Sequence, residues 1–301
     1  MTVVDTRTEW NQVGAEFVDR HCDLCGSAAS HALVRLHGSA YHQCEDCGLI
    51  YARPIARNLT AINEHNYAGN LASYAAKVER QKPRNLRRLR GFERYRQTGN
   101  FLELGCNAGI VIAAARAAGW RAHGVDISVA ATTYARETLG LEVFCGTLAE
   151  AAYADDYFDV VYSNSVLEHL EHPFANLLEA RRILRPGGVF YADTVNWDSY
   201  TRRILGTGWR YIDPIDHVHL YTPRNVRELA RRAGFEVERI WTTGARVEAN
   251  QPGNTWRAPW YLRLAKGPLS LASRFTLKGD AIRFLLRKPQ HSGRIDSHRG
   301  E

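Results

Sequence analysis

Short apolar runs alternating with helix-like stretches from residue 100 onward predict an α/β chain built on a doubly wound sheet. Two further observations complete the outline: a glycine-rich turn after the first of those runs, and two tight cysteine pairs ahead of them all. Together they predict a Rossmann-like domain behind a small, metal-stapled ribbon. At 301 residues, 45% hydrophobic and 24% charged, the chain has room for one domain of ordinary size and an appendage. The start, Met1-Thr2-Val3-Val4-Asp5, has an early acid and no apolar h-region, and no apolar run is long enough to span a bilayer. The expected location is the cytoplasm.

The front of the chain is read from its cysteines. Cys22-Asp23-Leu24-Cys25-Gly26 is answered by Cys44-Glu45-Asp46-Cys47-Gly48, a C-x2-C-x18-C-x2-C spacing inside the range of structural zinc sites. Each pair needs a sharp turn so that both sulfurs point at one ion, and the glycine after each pair permits it. Disulfides would need an oxidising compartment, and a rubredoxin-like iron site would need redox companions, so zinc is the expected ion. His21, His31, His37 and His42 lie close enough in sequence to compete as ligands. Four thiolates leave zinc no open position, so it should hold residues 18–54 together in place of a core and do no chemistry. The isolated Cys106 and Cys145 read as small buried residues.

Residues 55–97 form a basic helical linker. Between 77 and 96 stand Lys77, Arg80, Lys82, Arg84, Arg87, Arg88, Arg90, Arg94 and Arg96 against Glu79 and Glu93, concentrating a net charge of +7. Such a stretch could meet nucleic acid, an anionic lipid surface or a phosphorylated substrate. The expected reading is a solvated helix face, with Leu86, Leu89 and Phe92 turned inward.

Residues 98–289 carry the alternating pattern. Residues 100–104, 121–125, 141–144, 158–163 and 189–194 read as buried strands. Helices are expected over 110–118, closed by Gly119, after Ser128 as N-cap, and over 174–184, stopped by Pro186-Gly187-Gly188. Residues 236–242 and 280–287 read as two more strands, with an insertion over 250–277 and a disordered tail over 290–301.

The first strand runs into Gly105-Cys106-Asn107-Ala108-Gly109, so a ligand there would meet backbone N–H groups and a helix N-terminus. Asp126 ends the second strand about twenty residues later, where a carboxylate can grip ribose hydroxyls. The dinucleotide fingerprint G-x-G-x-x-G fails, because Asn107 and Ile110 stand where glycines are needed. A phosphate-free nucleoside cofactor suits this turn better.

The sequence resembles class I S-adenosylmethionine (SAM)-dependent methyltransferases, especially those with an N-terminal zinc ribbon. The likeness rests on Phe101-Leu102-Glu103-Leu104-Gly105, Gly124-Val125-Asp126-Ile127-Ser128, Tyr157-Phe158-Asp159-Val160-Val161, Val166-Leu167-Glu168-His169-Leu170, Ile183-Leu184-Arg185-Pro186-Gly187-Gly188 and Asp216-His217-Val218-His219-Leu220-Tyr221-Thr222-Pro223. The resemblance implies a seven-stranded sheet of order 3-2-1-4-5-7-6, its last strand antiparallel. It implies S-adenosyl-L-methionine as methyl donor, with Glu103 reaching the methionine ammonium and Gly105, Asn107 and Gly109 lining the methionine. Asp126 would bind the ribose, Ile127 the adenine, and Asn164 and Ser165 would flank the transfer site. Asn107 departs from the glycine of many relatives, and Thr147 from their acid.

Methyl transfer is an in-line displacement, so most of the catalysis is positioning. A hydroxyl or carbon acid also needs a base, and histidine titrates in the useful range. His217 is the expected base and His219 the second choice, with Tyr191, Trp209 and Tyr211 as acceptor-site walls and His169 as a loop-packing residue. The expected acceptor is a small molecule: a sugar, lipid-linked compound or specialised metabolite. An RNA methyltransferase and a non-catalytic zinc-ribbon interaction protein are the competing readings. The 250–277 insertion offers a peripheral membrane or lid surface.

Overall fold

The computed structural model describes residues 16–36, 38–68, 71–245 and 260–290. Strands β1 (Phe17–Val18), β2 (Ser30–Leu36), β3 (Ser39–Cys44), β4 (Ile50–Arg53) and β5 (Ile55–Ala56) make the front of the chain. Helices α1 (Leu59–Ala68), α2 (Leu71–Ala75) and α3 (Lys77–Leu89) follow, and a 3-10 turn over Arg90–Tyr95 leads into the alternating part. That part runs β6 (Asn100–Leu104), α4 (Ile110–Ala117), β7 (Arg121–Asp126), α5 (Val129–Glu137), β8 (Glu142–Cys145), β9 (Phe158–Asn164), α6 (Pro173–Ile183) and β10 (Leu184–Val195). It closes with α7 (Tyr200–Leu205), β11 (His219–Leu220), α8 (Pro223–Arg232), β12 (Glu236–Thr243), α9 (Trp260–Thr276) and β13 (Ala281–Arg287).

Seven strands form one sheet in the order β8-β7-β6-β9-β10-β13-β12, which is the expected 3-2-1-4-5-7-6. The strands from β8 to β10 pair in parallel, while β13 runs antiparallel to both β10 and β12. Central strands β6 and β9 are buried almost throughout, as helices on both faces require. The expected N-cap is in place: Ser128 Oγ accepts from Ala131 N at 3.3 Å and starts α5.

One boundary differs from expectation. Leu184 already pairs with Phe158, so β10 begins directly after α6 and runs through Pro186-Gly187-Gly188 with a register shift before Val189. The reason is a buried ion pair. Arg185 Nε donates to Asp159 Oδ1 at 2.5 Å, and Asp159 also accepts from the backbone N–H groups of Gln97, Thr98 and Gly99. That network holds the segment against β9 where turn-forming residues alone would release it.

The front sheet is not self-contained. Its order is β11-β4-β3-β2, so its fourth strand comes from beyond residue 218: His219 pairs with Tyr51 and Leu220 with Ile50. A joint core seals the seam, with Tyr41, Ile50, Ala52, Ile55 and Leu59 packed against Val195, Trp197, Trp209, Val218 and Leu220. Residues 246–259 and 291–301, and with them part of the expected insertion and nearly all of the expected tail, lie outside the described residues. Within the insertion, α9 packs on β12 through Thr242, which donates to Ser273 O at 2.7 Å, while Leu264, Leu271 and Phe275 face outward.

Candidate active site

The turn after β6 forms because Gly105 takes φ +69°, and its N–H donates to Val125 O at 2.8 Å. A β-carbon at Gly105 would lie 2.3 Å from Val166 Cγ2, so only glycine fits this approach. Gly109 caps α4 at φ +80°, where a β-carbon would meet Leu141 Cδ1 at 2.5 Å; its work is the close seating of the helix. Asn107 is left-handed too, at φ +46°, and its side chain accepts from Ala108 N, which stiffens the loop. The Asp126 carboxylate reaches back over the turn and accepts from Asn107 N at 2.7 Å and Ser128 N at 2.9 Å.

Above the carboxyl ends of the strands lies a cavity of ≈ 540 Å³. Its wall includes Glu103, Gly105, Asn107, Asp126, Ile127, Asn164 and Ser165, all expected near a nucleoside cofactor. Thr147 lines the cavity as well, its hydroxyl donating to Glu150. Gly109 does not reach the wall. Burial pushes the Glu103 carboxyl well above its ordinary range, against the backbone N–H groups of Ile112, at 3.2 Å, and Val111 and the Arg88 charge. Burial raises Asp126 as well, against the two backbone N–H groups it accepts from.

The far wall comes from the linker. Gln81, Arg84, Asn85 and Arg88 recur at i, i+3, i+4 and i+7, so one polar face of α3 closes the cavity while Leu89 and Phe92 enter the core. Arg88 reaches the strand ends, donating to Tyr162 Oη and to Asn164 Oδ1 at 3.5 Å. Arg88 therefore faces the site, while Arg84 stays exposed at its rim.

Two histidines line the cavity, the exposed His172 and the more deeply set His169. Its Nδ1 donates to Asp216 O at 2.6 Å and stands 3.1 Å from Asp216 Oδ1. Burial disfavours its charged form, but the hydrogen bond to Asp216 and the negative Glu168 outweigh that and push it up to about 9. His217 lies behind it, the ring centroids 4.9 Å apart, and does not line the cavity. Burial first, then the adjacent His169 charge, pushes His217 down to about 4. His219 is fully buried, with Nδ1 on Leu170 O at 3.0 Å and Nε2 3.3 Å from Arg20 Nη2. Both expected bases were placed by the alternation of an extended segment. The pairing of β11 with β4 turns His219 into the seam, and Tyr41 donates to His217 O at 2.7 Å and draws His217 behind His169.

The three aromatic residues expected at the acceptor also stand off the cavity wall. Tyr191 stacks on Tyr162 at 4.7 Å in the core. Trp209 is buried in the seam core, edge-on to Trp197, and Tyr211 packs between Trp209 and His217. The residues that sequence reasoning missed are His169 and the polar face of α3; the i, i+3, i+4, i+7 recurrence was the available signal for the second.

Ahead of the site, the Sγ atoms of Cys22, Cys25, Cys44 and Cys47 all lie within 4.8 Å of one another. Cys22–Cys47 and Cys25–Cys44 contacts are each 3.4 Å, near the roughly 3.8 Å edge of a tetrahedron with zinc–sulfur bonds of about 2.3 Å. The two cysteine turns are matched: Gly26 N donates to Cys22 O and Gly48 N to Cys44 O. The cluster touches the site loop through Asp23, which accepts from Phe174 N at 3.0 Å and meets His172 Nδ1 at 2.9 Å. Arg20 adds a hydrogen bond to Glu171 O at 3.0 Å.

A mostly parallel sheet with a glycine turn, an acid at the end of its second strand and a cavity at its switch point defines a nucleoside-cofactor fold. The sequence profile of the methyltransferase-domain family matches residues 74–240, more than half of the chain. The chain belongs to this family of SAM-dependent methyltransferases, here with a four-cysteine cluster at the front. Among curated proteins it is similar to a ubiquinone biosynthesis O-methyltransferase of Cereibacter sphaeroides, 32% identical over 146 residues, covering 45% of this chain and 59% of that protein. It is 29% identical over 152 residues to the one of Thiobacillus denitrificans, covering 46% of this chain and 65% of that protein. The chain thus spans about three-fifths of the length of these relatives. A SAM-dependent methyltransferase of Thermotoga maritima shares the fold, with TM-score 0.51, 19% identity, 74% of this chain and 99% of that one covered. One of Archaeoglobus fulgidus does likewise, with TM-score 0.51, 20% identity, and 71% and 98% covered. No helix among the described residues is long and apolar enough to cross a membrane.

Proposed function

We propose that the protein transfers the methyl group of SAM to a small-molecule acceptor, and that zinc holds the four cysteines as a structural ion. The observation that carries the reading is the cavity at the strand ends, in which the donor residues Glu103, Gly105 and Asp126 share a wall with His169. Glu103 faces the methionine ammonium, Asp126 the ribose, and Ile127 the adenine. Asn164 and Ser165 flank the methyl. The relatives named O-methyltransferases support an oxygen acceptor. Arg88 turns into the cavity, which favours a small acceptor over RNA, since RNA would need that charge on an open surface.

SAM supplies an electrophilic methyl on a sulfonium, and the chain's own residues hold the acceptor oxygen in line with it. With its pKa pushed up to about 9, His169 takes the proton that the oxygen releases only from its neutral form, so turnover should rise with pH toward 9. Asp216 orients its ring, and His217, neutral at working pH, acts through His169 and not on the substrate. The ion in the cysteine cluster holds Asp23 and Arg20 against the loop that carries His169. The test is calorimetry with S-adenosylhomocysteine (SAH), followed by transfer of labelled methyl from SAM to panels of phenols, sugars, prenyl lipids and RNA. Micromolar SAH binding and labelling of a small molecule are expected. A protein that bound neither SAM nor SAH, or labelled RNA alone, would overturn the reading.

A further inference from the structure

We propose that the outward face of α9 docks the protein on an anionic membrane surface. The helix is built inside out. Its exposed line runs Leu264, Gly267, Pro268, Leu271 and Phe275, at i, i+3, i+4, i+7 and i+11, so this stripe toward solvent carries no polar side chain. Leu264 is 70%, Leu271 59% and Phe275 83% exposed. The side toward the sheet holds serine instead: Ser273 is fully buried, its hydroxyl donating to Ser270 O at 2.7 Å while its carbonyl accepts from Thr242. A helix that only covered β12 would place these two sets the other way round. Large apolar residues exposed singly are ordinary, but three aligned on one helix face mark a surface that is covered in use.

Charge selects what covers it. Residues 260–279 carry Arg263, Lys266, Arg274 and Lys278 and no aspartate or glutamate. A second copy of the chain would set the same cations against themselves, and RNA would leave the two leucines without an apolar partner. The interface of an anionic bilayer satisfies both sets, taking the apolar side chains at the acyl boundary and the cations among the headgroups. The position also fits. Strand β13 is antiparallel to both β10 and β12, so β12 points the same way as β10, and α9 packs near its carboxyl end at Thr242. That is the edge of the sheet above which the cavity lies, so docking through α9 holds the cavity beside the membrane. The docking does not depend on the methyl-transfer reading; access to a lipid-linked acceptor does.

The full chain is sedimented with vesicles of phosphatidylcholine alone and of phosphatidylcholine mixed with phosphatidylglycerol, at low and high salt. Wild type is compared with Leu264→Ser/Leu271→Ser/Phe275→Ser, with Phe275→Ser alone, and with Leu178→Ser, an exposed leucine of α6, as control. We expect wild type to bind mixed vesicles at least about tenfold more tightly than neutral ones, and less tightly at high salt. The triple variant should lose about tenfold or more, Phe275→Ser several-fold and Leu178→Ser nothing. SAH affinity and thermal midpoint should stay at their wild-type values, because the changed side chains are exposed; Phe275→Ser carries the test if the triple variant does not fold. Equal binding of neutral and mixed vesicles, or equal binding by Phe275→Ser and wild type, overturns the inference. So does a wild-type dimer that the triple variant dissolves with no vesicle binding by either, since the face then takes a second copy. Absence of SAH binding by wild type would instead sink the methyl-transfer reading and leave the docking result standing.

Discussion

Replacing Gly105 with alanine tests whether the donor loop owes its shape to sterics. At φ +69° any L-residue carries about 1–2 kcal/mol of strain. The new β-carbon would also stand 2.3 Å from Val166 Cγ2 and 3.2 Å from Cγ1. Ordinary contact begins near 3.4 Å, so the loop or Val166 must yield by about 1 Å. The free protein relieves both by opening the loop, and SAM must close it again. The strain alone then weakens SAH binding about tenfold, at 1.4 kcal/mol per decade, and a 1 Å error in methyl position costs turnover about a hundredfold. Val166→Ala removes both γ-carbons, so Gly105→Ala/Val166→Ala should recover several-fold of the lost affinity and leave the backbone part unrecovered. Calorimetry with SAH on the two single variants and the double variant closes the cycle. Gly105→Ala binding like wild type, or a double variant no tighter than Gly105→Ala, would refute the argument.

Asp126→Asn should cost about ten- to a hundredfold in SAH affinity by isothermal titration, since it replaces two charged hydrogen bonds to ribose. SAH binding should release protons, because burial raises the Glu103 carboxyl and the ligand ammonium lowers it again; titrations in buffers of different ionisation heat would reveal it, and no buffer dependence would count against the role. Stability should peak near pH 6.5. Below it His217, folded value about 4, makes the unfolded chain bind more protons, so stability rises with pH from about 4 to 6.5. Above it His169, folded value about 9, keeps a proton that the unfolded chain releases, so stability falls between 6.5 and 9. Each limb is worth on the order of 3 kcal/mol, and urea melts of Asp216→Asn should flatten the alkaline one. Cys47→Ser, or a strong chelator, should lower the thermal midpoint by several degrees, with equal SAH affinity in whatever fraction stays folded.

The donor half was legible because it is local. Strand, turn, helix and the next strand's terminal acid lie within the stretch from Phe101 to Asp126, and each residue's place follows from neighbours in sequence. The acceptor half is assembled from afar. Whether His169 or His217 faces the cavity depends on a hydroxyl from Tyr41, 176 residues away, and on Arg20 in the cysteine ribbon. Periodicity placed Leu86 and Leu89 of α3, and Phe92 of the turn after it, correctly on the inner side. It could not tell that the polar side met a cavity and not bulk water, because both demand the same residue types. The β10 boundary failed similarly: proline and glycine signal a turn, and only the distant Asp159 overrides them.

The strand that β11 lends to the ribbon sets an order of assembly. During synthesis the two cysteine pairs emerge first and can gather their ion, but β4 stays an open sheet edge until residues 219–220 arrive. For that interval the nascent chain exposes unpaired N–H and C=O groups beside the seam residues Tyr41 and Ile50, a template for pairing with the wrong partner. A fragment ending before β11 should therefore associate with itself, and the ribbon could not be transplanted onto another enzyme without carrying residues from both ends of its host.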